Sequence, residues 1–266
     1  MQVLKKSKSL VKPKKKLGQH FLKSSDVAKK IVDCLITNNI CSILEVGPGM
    51  GILTQHIIDL NKESSFIEID KESIVYLKEK FKGIDKNLIE EDFLKIDLKK
   101  FKSPIGVVGN FPYNISSQIV FKIIENRDTV DKLVGMFQLE VAKRICENPG
   151  TKTYGILSVL VQAFYETKFE FILGPKHFNP PPKVNSGVIS LERKKEKSLN
   201  CDENLFFKIV KLSFQQRRKT LRNSLKKFNL SNNIKEDVIF DKRPETLSVK
   251  DFIHLTNIIA NENISA

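Results

Sequence analysis

The chain has 266 residues, of which 41% are hydrophobic and 29% charged, and its 45 basic and 31 acidic residues give a net charge of +14. This composition is typical of a soluble globular protein, and the lack of any run of about 18 apolar residues excludes a membrane-spanning chain. The positive charge favours a polyanionic partner, either nucleic acid or an acidic membrane surface.

The cysteines and histidines favour neither disulfides nor a metal. The four cysteines form no CxxC pair and follow no apolar leader, so we expect reduced thiols in a cytoplasmic protein. The four histidines show no HxxxH-type spacing, so we expect no metal site. Residues 1–16 contain seven lysines and no acidic residue. They predict a disordered basic arm, and a tail that only improves solubility is an equally good interpretation.

Strand-like and helix-like segments alternate over residues 25–147. Apolar, β-branched runs predict strands at 42–47, 66–70, 88–90, 105–109 and 133–137. Helical spacing predicts helices near 25–36, 52–61, 72–81, 115–125 and 139–147. This alternation predicts an α/β fold with a Rossmann-like, doubly wound and mostly parallel sheet that carries helices on both faces.

Two further runs, 168–173 and 187–192, flank a proline-rich stretch and predict an antiparallel pair at one edge of the sheet. After a charged stretch at 192–198 the pattern is helical only, with helices expected over 203–228, 234–240 and 248–261. We therefore predict three parts: the basic arm 1–16, a sheet domain over 17–194, and a small all-helical domain over 195–266.

The first predicted strand ends in EVGPGMG, which places Gly47 and Gly49 at a strand-to-helix turn. Glycines there let the backbone approach a ligand closely, although a tight structural turn is the plain alternative. Glu68 ends the second strand, where a carboxylate can accept both hydroxyls of a ribose. Asp92 and Phe93 follow the third strand, and the Phe93 ring can pack on an adenine.

The spacing of this turn selects among nucleotide ligands. It is GxGxG rather than GxGxxG, and no P-loop lysine follows the glycines. A ligand that contains a nucleoside but no phosphate is therefore favoured, and S-adenosylmethionine fits that description.

The fourth strand runs into NFPYNISS at residues 110–117. An exocyclic adenine amine is a weak nucleophile, and acceptors for its two N–H groups favour its attack on a methyl group. The Asn110 side chain and the Phe111 carbonyl provide two such acceptors. Pro112 stiffens the turn without an N–H of its own, and Tyr113 offers a face to a flipped-out base. A strand-ending turn with a core tyrosine is the alternative.

Seven motifs occur in the order seen in the ribosomal RNA adenine dimethyltransferases, over roughly residues 15–228: KKLGQHFL, EVGPGMG, EIDKE, EEDF, NFPYNISS, FNPPPKVNSGVISL and SFQQRRKTLRNSL. The chain resembles that family, and its last motif resembles the 16S branch rather than the 23S enzymes of antibiotic resistance. The resemblance implies a class I methyltransferase domain over 17–194, a C-terminal domain that recognises RNA, and dimethylation of two adjacent adenines in the 3′-terminal hairpin of 16S rRNA.

The resemblance also implies roles for individual residues. The methionine end of the cofactor site is lined by His20 and Leu22, and that site is completed by Gly47, Glu68, Asp92 and Asn110. Phe178 forms a second face for the target adenine, opposite Tyr113. The family more often has Asn at position 20 and Leu at position 111, where this chain has His20 and Phe111.

Arginine is rare in this chain, with seven among the 45 basic residues, yet Arg217, Arg218 and Arg222 fall within six positions. A forked guanidinium binds phosphate in two-point fashion, which favours contact with the RNA backbone. Salt bridges that hold a helix to the catalytic domain are an equally good hypothesis.

Three functions remain at this point. The preferred one is an S-adenosylmethionine-dependent dimethyltransferase whose partner is the 16S rRNA of the small ribosomal subunit, acting as a cytoplasmic monomer without a metal. The alternatives are a 23S rRNA adenine methyltransferase and a non-catalytic RNA-binding assembly factor. The predicted long basic helix around RRKTLRNSL argues against the first alternative, and Asn110, Pro112 and Tyr113 argue against the second.

Overall fold

The computed structural model describes residues 11–36 and 39–265, with side chains described as far as residue 262. Residues 1–10, most of the predicted basic arm, lie outside these residues. Residues 11–16 contact the folded chain, since Val11 is buried and Lys14 forms an ion pair with Asp70. Over residues 11–16 the structure therefore differs from the expected disordered arm, because an apolar and a charged side chain both find partners there.

The strands are, in chain order, β1 (Phe21–Leu22), β2 (Ser42–Val46), β3 (Glu63–Ile67), β4 (Leu88–Ile89), β5 (Ile105–Asn110), β6 (Val130–Gln138), β7 (Tyr165–Leu173), β8 (Phe178–Asn179) and β9 (Ser186–Arg193). Seven of them form one sheet in the order β4-β3-β2-β5-β6-β9-β7, and β1 pairs with β8 in a separate antiparallel ladder. The first five strands of that order are parallel, and β9 and β7 add the antiparallel edge pair. The predicted Rossmann-like sheet is confirmed.

The helices are α1 (Ser25–Leu35), α2 (Ile52–Ile58), α3 (Lys71–Lys80), α4 (Ser116–Glu125), α5 (Leu139–Cys146), α6 (Ile156–Phe164), α7 (Glu203–Gln215), α8 (Leu221–Ser224), α9 (Asn232–Lys235) and α10 (Val249–Ser265). Among the described residues, none of these helices is long and apolar enough to cross a membrane.

Two apolar clusters cover the two faces of the sheet. Neighbouring strand residues alternate between them, as the side chains of a pleated strand must: Ile43 belongs to the cluster that includes residues of α1, α2 and α3, whereas Leu44 belongs to the cluster that includes residues of α4, α5 and α6. Every residue of β2 is buried, which is the pattern of a parallel strand covered on both faces.

The helices after residue 202 extend one of these clusters. Phe207 of α7 stacks on Phe164 of α6 with ring centroids 5.9 Å apart, and Phe214 of α7 lies 6.2 Å from the ring of Tyr154. The apolar cluster therefore runs from the sheet into the C-terminal helices, and a domain boundary at 194/195 stays a prediction.

The single helix expected over 203–228 is wrong. Helix α7 ends at Gln215, and the chain makes a turn before α8 begins at Leu221. That turn brings the Leu221 side chain into the core, fully buried, and its N–H donates to the Lys242 carbonyl at 2.9 Å. A straight helix could not both bury the Leu221 side chain and let its N–H reach the Lys242 carbonyl. These two contacts explain why the helix ends at Gln215.

Candidate active site

A cavity of about 250 Å³ lies at the carboxyl ends of β2, β3 and β5. The chain order reverses between β2 and β5, because β3 and β4 lie on one side of β2 and β5 on the other. Doubly wound sheets bind their ligands at such a switch point. The predicted site residues that line the cavity are His20, Gly47, Gly49, Glu68, Asp92, Phe93, Asn110, Phe111, Pro112 and Tyr113.

The glycine turn after β2 serves both the cavity and the packing around it. Gly47 has a φ of +68°, and a Cβ added there would meet no atom within 4 Å, so it would project into open space. Gly49 also has a positive φ, but a Cβ there would lie 2.9 Å from the Phe21 ring. Gly47 therefore leaves space in the turn for a ligand, whereas Gly49 is required because a side chain there would clash with the Phe21 ring.

Glu68, directly after β3, organises this end of the cavity. Its Oε2 atom accepts the Gly49 N–H, and its Oε1 atom accepts the N–H groups of Ile69 and Asp70, each at 2.9 Å. Burial raises the pKa of Glu68, and the three N–H donors oppose that shift by favouring the carboxylate. Oε1 already accepts two N–H groups and Oε2 accepts one, so one of about four acceptor positions remains, on Oε2, and it can bind one ribose hydroxyl while the carboxylate fixes the turn.

Asp92 and Phe93 form the wall beyond β4. The Asp92 Oδ1 atom accepts the Leu94 N–H at 3.0 Å, which orients the carboxylate. The Phe93 ring is 4% exposed, with the Lys122 ammonium 5.6 Å from its centroid. This wall therefore offers one acceptor and one apolar surface, the two features that an adenine requires.

Asn110 is the last residue of β5, and its amide has a fixed orientation. The Nδ2 atom donates to the His20 carbonyl at 2.6 Å. An amide whose N–H₂ group is held in this way presents its oxygen as the acceptor. The structure thus shows the partner that orients the Asn110 amide, and its role as an acceptor for a substrate amine stays a prediction.

Phe111 lines the cavity, but its ring is packed in the core. Its ring is 1% exposed and lies 5.1 Å from the ring of Phe137. A Cβ added at Gly135 would come within 2.1 Å of that ring, so only glycine fits there. Packing of the ring fixes the backbone of the turn, including the carbonyl predicted to accept from a substrate amine.

Tyr113 is held from two sides. Its hydroxyl lies 2.6 Å from Ser186 Oγ in a hydrogen bond, and its ring stacks on His20 with centroids 5.5 Å apart. The His20 Nδ1 atom lies 2.7 Å from the Pro180 carbonyl and must be the donor, because a carbonyl only accepts. His20 therefore contacts the predicted base-stacking ring as well as lining the cavity.

Two predicted residues are not brought to the cavity. Leu22 and Phe178 are paired across the β1–β8 ladder, 5% and 1% exposed, within the apolar cluster on the α1 face. Phe178 is not among the residues that line the cavity, and its role as a second stacking face opposite Tyr113, which the resemblance implies, stays a prediction. The stacking partner that the structure does show is His20.

The residues present fit S-adenosylmethionine. The open turn at Gly47, the carboxylate of Glu68 and the wall at Asp92 and Phe93 lie around one cavity, which can hold a nucleoside without any phosphate-binding lysine. Among the described residues, no group of three or more His, Cys, Asp or Glu side chains is placed to hold a metal.

Glu45, the acidic residue of the EVGPGMG motif, lies behind this turn rather than in the cavity. It is fully buried, and its Oε2 atom accepts the Thr54 hydroxyl at 2.7 Å, while Oε1 has no partner among the described residues. Burial raises the pKa of Glu45 to about 8, so the neutral acid predominates at pH 7.

We expect Glu45→Gln to change how stability depends on pH. Between the unfolded pKa of 4.5 and the folded value of about 8, the native chain holds a proton that the unfolded chain has released, so the free energy of unfolding falls as pH rises. The slope from this group is at most about 1.4 kcal/mol per pH unit. Gln does not titrate and so contributes no such slope. Urea unfolding should therefore show the variant gaining stability relative to the parent from about pH 5 to pH 8. Parallel pH profiles for parent, Glu45→Gln and the exposed control Glu63→Gln would contradict this.

The comparisons with known proteins come to the same family. A family model described as ribosomal RNA adenine dimethylase matches residues 11–261. Relatives named ribosomal RNA small subunit methyltransferase A include one from Flavobacterium johnsoniae, 53% identical over 96% of this chain and 99% of its own length. Another, from Bacteroides fragilis, is 51% identical over 93% of this chain and 92% of its own length.

Solved structures agree on the fold. A dimethyladenosine transferase from Plasmodium falciparum is 26% identical, has a TM-score of 0.78, and is matched over 92% of this chain and 98% of its own. The 23S rRNA methyltransferase ErmE is 24% identical with a TM-score of 0.66, matched over 90% of this chain and 99% of its own, and shows the shared fold only.

Proposed function

The chain belongs to the ribosomal RNA adenine dimethylase family, and from that premise we propose that it transfers two methyl groups from S-adenosylmethionine to N6 of each of two adjacent adenines in small-subunit rRNA. The target is the 3′-terminal hairpin of 16S rRNA. The observation that carries the proposal is the Asn110 amide, which is held by the His20 carbonyl at the mouth of the nucleoside cavity.

S-adenosylmethionine supplies an electrophilic methyl group on a positively charged sulfur. The protein's residues bring an adenine N6 to it in line. The Asn110 oxygen and the Phe111 carbonyl accept the two N6–H groups, which turns the nitrogen lone pair toward the methyl carbon. In each transfer the nitrogen–methyl bond would form as the sulfur–methyl bond breaks, and one N6 proton would pass to solvent. Glu68 and Gly47 hold the nucleoside end, and Tyr113 supports the flipped-out base.

The proposal is tested with small-subunit particles from cells that lack this methylation and, in parallel, with unmodified 23S rRNA. Incubation with the protein and S-adenosylmethionine should yield N6,N6-dimethyladenosine at two adjacent positions of 16S rRNA, identified by mass spectrometry of nuclease fragments. Methylation of 23S rRNA instead, or binding without methylation, would overturn it and favour one of the two alternatives. A cytoplasmic location and a monomeric state remain predictions.

The long basic helix expected over the RRKTLRNSL motif, which argued against a 23S substrate, is wrong. The structure shows a turn and the four-residue helix α8 there. The preference for a small-subunit rRNA substrate therefore rests on the names of the relatives.

The three clustered arginines have different surroundings. Arg217 donates to the Thr151 carbonyl at 2.9 Å, and Arg222 forms a salt bridge with Asp241 at 2.7 Å. Arg218 is exposed. Two of the three guanidinium groups therefore make internal contacts, which supports the hypothesis of a structural role for them and leaves Arg218 as the best candidate for RNA contact.

A groove beside this cluster is better suited to the RNA backbone. It has a volume of about 510 Å³ and is lined by Leu212, Gln215, Gln216, Lys219, Asn223, Ser224, Lys226 and Lys227. The lining contains three lysines, all exposed, and no acidic residue. Ammonium and amide donors around one groove suit phosphate oxygens, so we include these lysines with Arg218 in the RNA-binding surface.

We expect the triple variant Lys219→Gln, Lys226→Gln, Lys227→Gln to bind small-subunit particles more weakly and with a flatter salt dependence. Each lost phosphate contact removes about 0.7–0.9 from the slope of log affinity against log salt concentration. Filter binding at several salt concentrations measures the slope. The control Lys30→Gln, Lys82→Gln, Lys86→Gln makes the same charge change at exposed sites elsewhere. Equal slopes for the two triple variants would move the RNA contact to another surface, such as residues 1–16.

A further inference from the structure

Asp70, two residues after Glu68, is a buried carboxylate that the proposed chemistry does not use. It is 2% exposed and caps α3, where its Oδ1 atom accepts the Glu72 N–H at 3.4 Å. The segment 14–20, which forms one wall of the cavity, reaches it with two side chains: the Lys14 ammonium pairs with Oδ1, and Gln19 Nε2 donates to Oδ2 at 3.1 Å.

Lys14 and Gln19 also bind each other. The Lys14 backbone N–H donates to Gln19 Oε1 at 2.8 Å, so the side-chain amide of Gln19 is fixed at both ends. Burial favours the neutral acid, yet the hydrogen bonds from Lys14 and Gln19 hold the pKa of Asp70 below its usual value. A cap alone needs neither partner, since a neutral Asn caps a helix equally well.

The next residue along the chain completes a connection to the reacting centre. His20 follows Gln19, and the His20 carbonyl accepts the Asn110 side-chain N–H at 2.6 Å. Gly18, in the same segment, has a φ of +62°, and a Cβ there would lie 2.8 Å from Asn114 Oδ1, so the backbone of this segment lies directly against the turn that follows β5.

We propose that Asp70 is a positioning residue which, through Lys14 and Gln19, holds the His20 carbonyl in place and so orients the Asn110 amide toward its substrate. The proposal deepens the proposed function and rests on it. The Lys14–Asp70 ion pair, near the cofactor end of the cavity, would thus determine how the Asn110 oxygen is oriented at the substrate end.

Asp70→Asn is the first test, because it retains the helix cap but places an N–H₂ group against a donor, either the Lys14 ammonium or the Gln19 amide. A misplacement of about 1 Å can cost about 10²-fold in rate. We therefore expect single-turnover methylation to fall by about 10- to 100-fold, with little change in KM for the ribosomal particle. Lys14→Met should show the same loss, and Lys14→Arg should restore most of the rate.

A double-mutant cycle separates positioning from folding. If Asp70 acts through Asn110, adding Asp70→Asn to Asn110→Ala should cost almost nothing further, whereas an independent structural defect would add its full effect. Hydrogen exchange gives a readout without turnover, since Asp70→Asn should speed exchange across residues 14–20. The control Lys78→Met breaks an ion pair of similar kind on α3, with Glu90 at 2.7 Å, and should change neither.

Additive losses in the cycle, or unchanged exchange across residues 14–20, would overturn the positioning role while the parent protein still methylates. A parent protein without methylation activity would instead contradict the proposed function, and the exchange measurement would still decide whether Asp70 holds the segment.

Discussion

Asn110→Ala should reduce single-turnover methylation by about 10²–10³-fold, the effect seen when one preorganised hydrogen-bonding group is lost from a reacting centre. The amide acts chiefly on the attacking nitrogen, so affinity for the ribosomal particle should change little. Alanine also frees the His20 carbonyl from its 2.6 Å hydrogen bond, which adds to the loss of order at the cavity mouth. Rapid-quench measurement of methyl transfer at saturating cofactor tests this directly.

Asn126→Ala provides a matched control. Its side-chain N–H₂ group likewise donates to a backbone carbonyl, that of Lys122 at 2.8 Å, but at the far end of α4 from the cavity. That variant should methylate at the parental rate. A near-parental rate for Asn110→Ala would contradict the acceptor role and leave the Phe111 carbonyl as the remaining acceptor.

Much of the fold could be predicted because the central strands are buried on both faces and the sequence there is continuously apolar. Helix α6 was missed for a related reason: Ile156–Phe164 is buried on nearly all sides, so it carries apolar residues without a polar face to reveal its period. The β1–β8 ladder joins residues more than 150 positions apart and has two residues per strand, which gives no local pattern. Helical propensity alone likewise predicted that the helix continues past Gln215. In the structure the chain turns instead, and the Leu221 N–H donates to the Lys242 carbonyl.

The site was predictable where it depends on strand order. Gly47, Glu68 and Asp92 follow parallel strands and Asn110 ends one, and the carboxyl ends of such strands meet at one edge. Residues that orient the site were not found, because their partners come from distant segments: Asn110 bonds His20, and Tyr113 bonds Ser186. Gly135 carried a usable signal, since a glycine inside a strand indicates close approach of another group.

The structure adds nothing to the expected stacking role of Phe178, which stays a prediction. Its motif fixes its place in the sequence, and its ring is 1% exposed in the apolar cluster that also contains Leu22. The carboxylate of Glu68 presents the opposite case, since the structure adds to its predicted binding role the task of ordering the glycine turn.

Glu68→Ala should weaken S-adenosylmethionine binding by one charge-assisted hydrogen bond, about 1.5–3 kcal/mol, or about 10- to 10²-fold in Kd. The sequence alone predicted this loss without any change in folding. The structure alters that expectation, because the variant also leaves the N–H groups of Gly49, Ile69 and Asp70 without their acceptor. We therefore expect a lower free energy of unfolding together with the loss of affinity.

Calorimetric titration at a temperature where the variant is folded, with urea unfolding in parallel, separates the two effects. Glu63→Ala removes a carboxylate from the exposed, opposite end of the same strand and should change neither quantity. If Glu68→Ala is less stable but binds S-adenosylmethionine with parental affinity, then the carboxylate serves the turn alone. The ribose must in that case be held elsewhere in the cavity, and Asp92 is the next acceptor to test, because its carboxylate faces the same cavity from the adjoining strand.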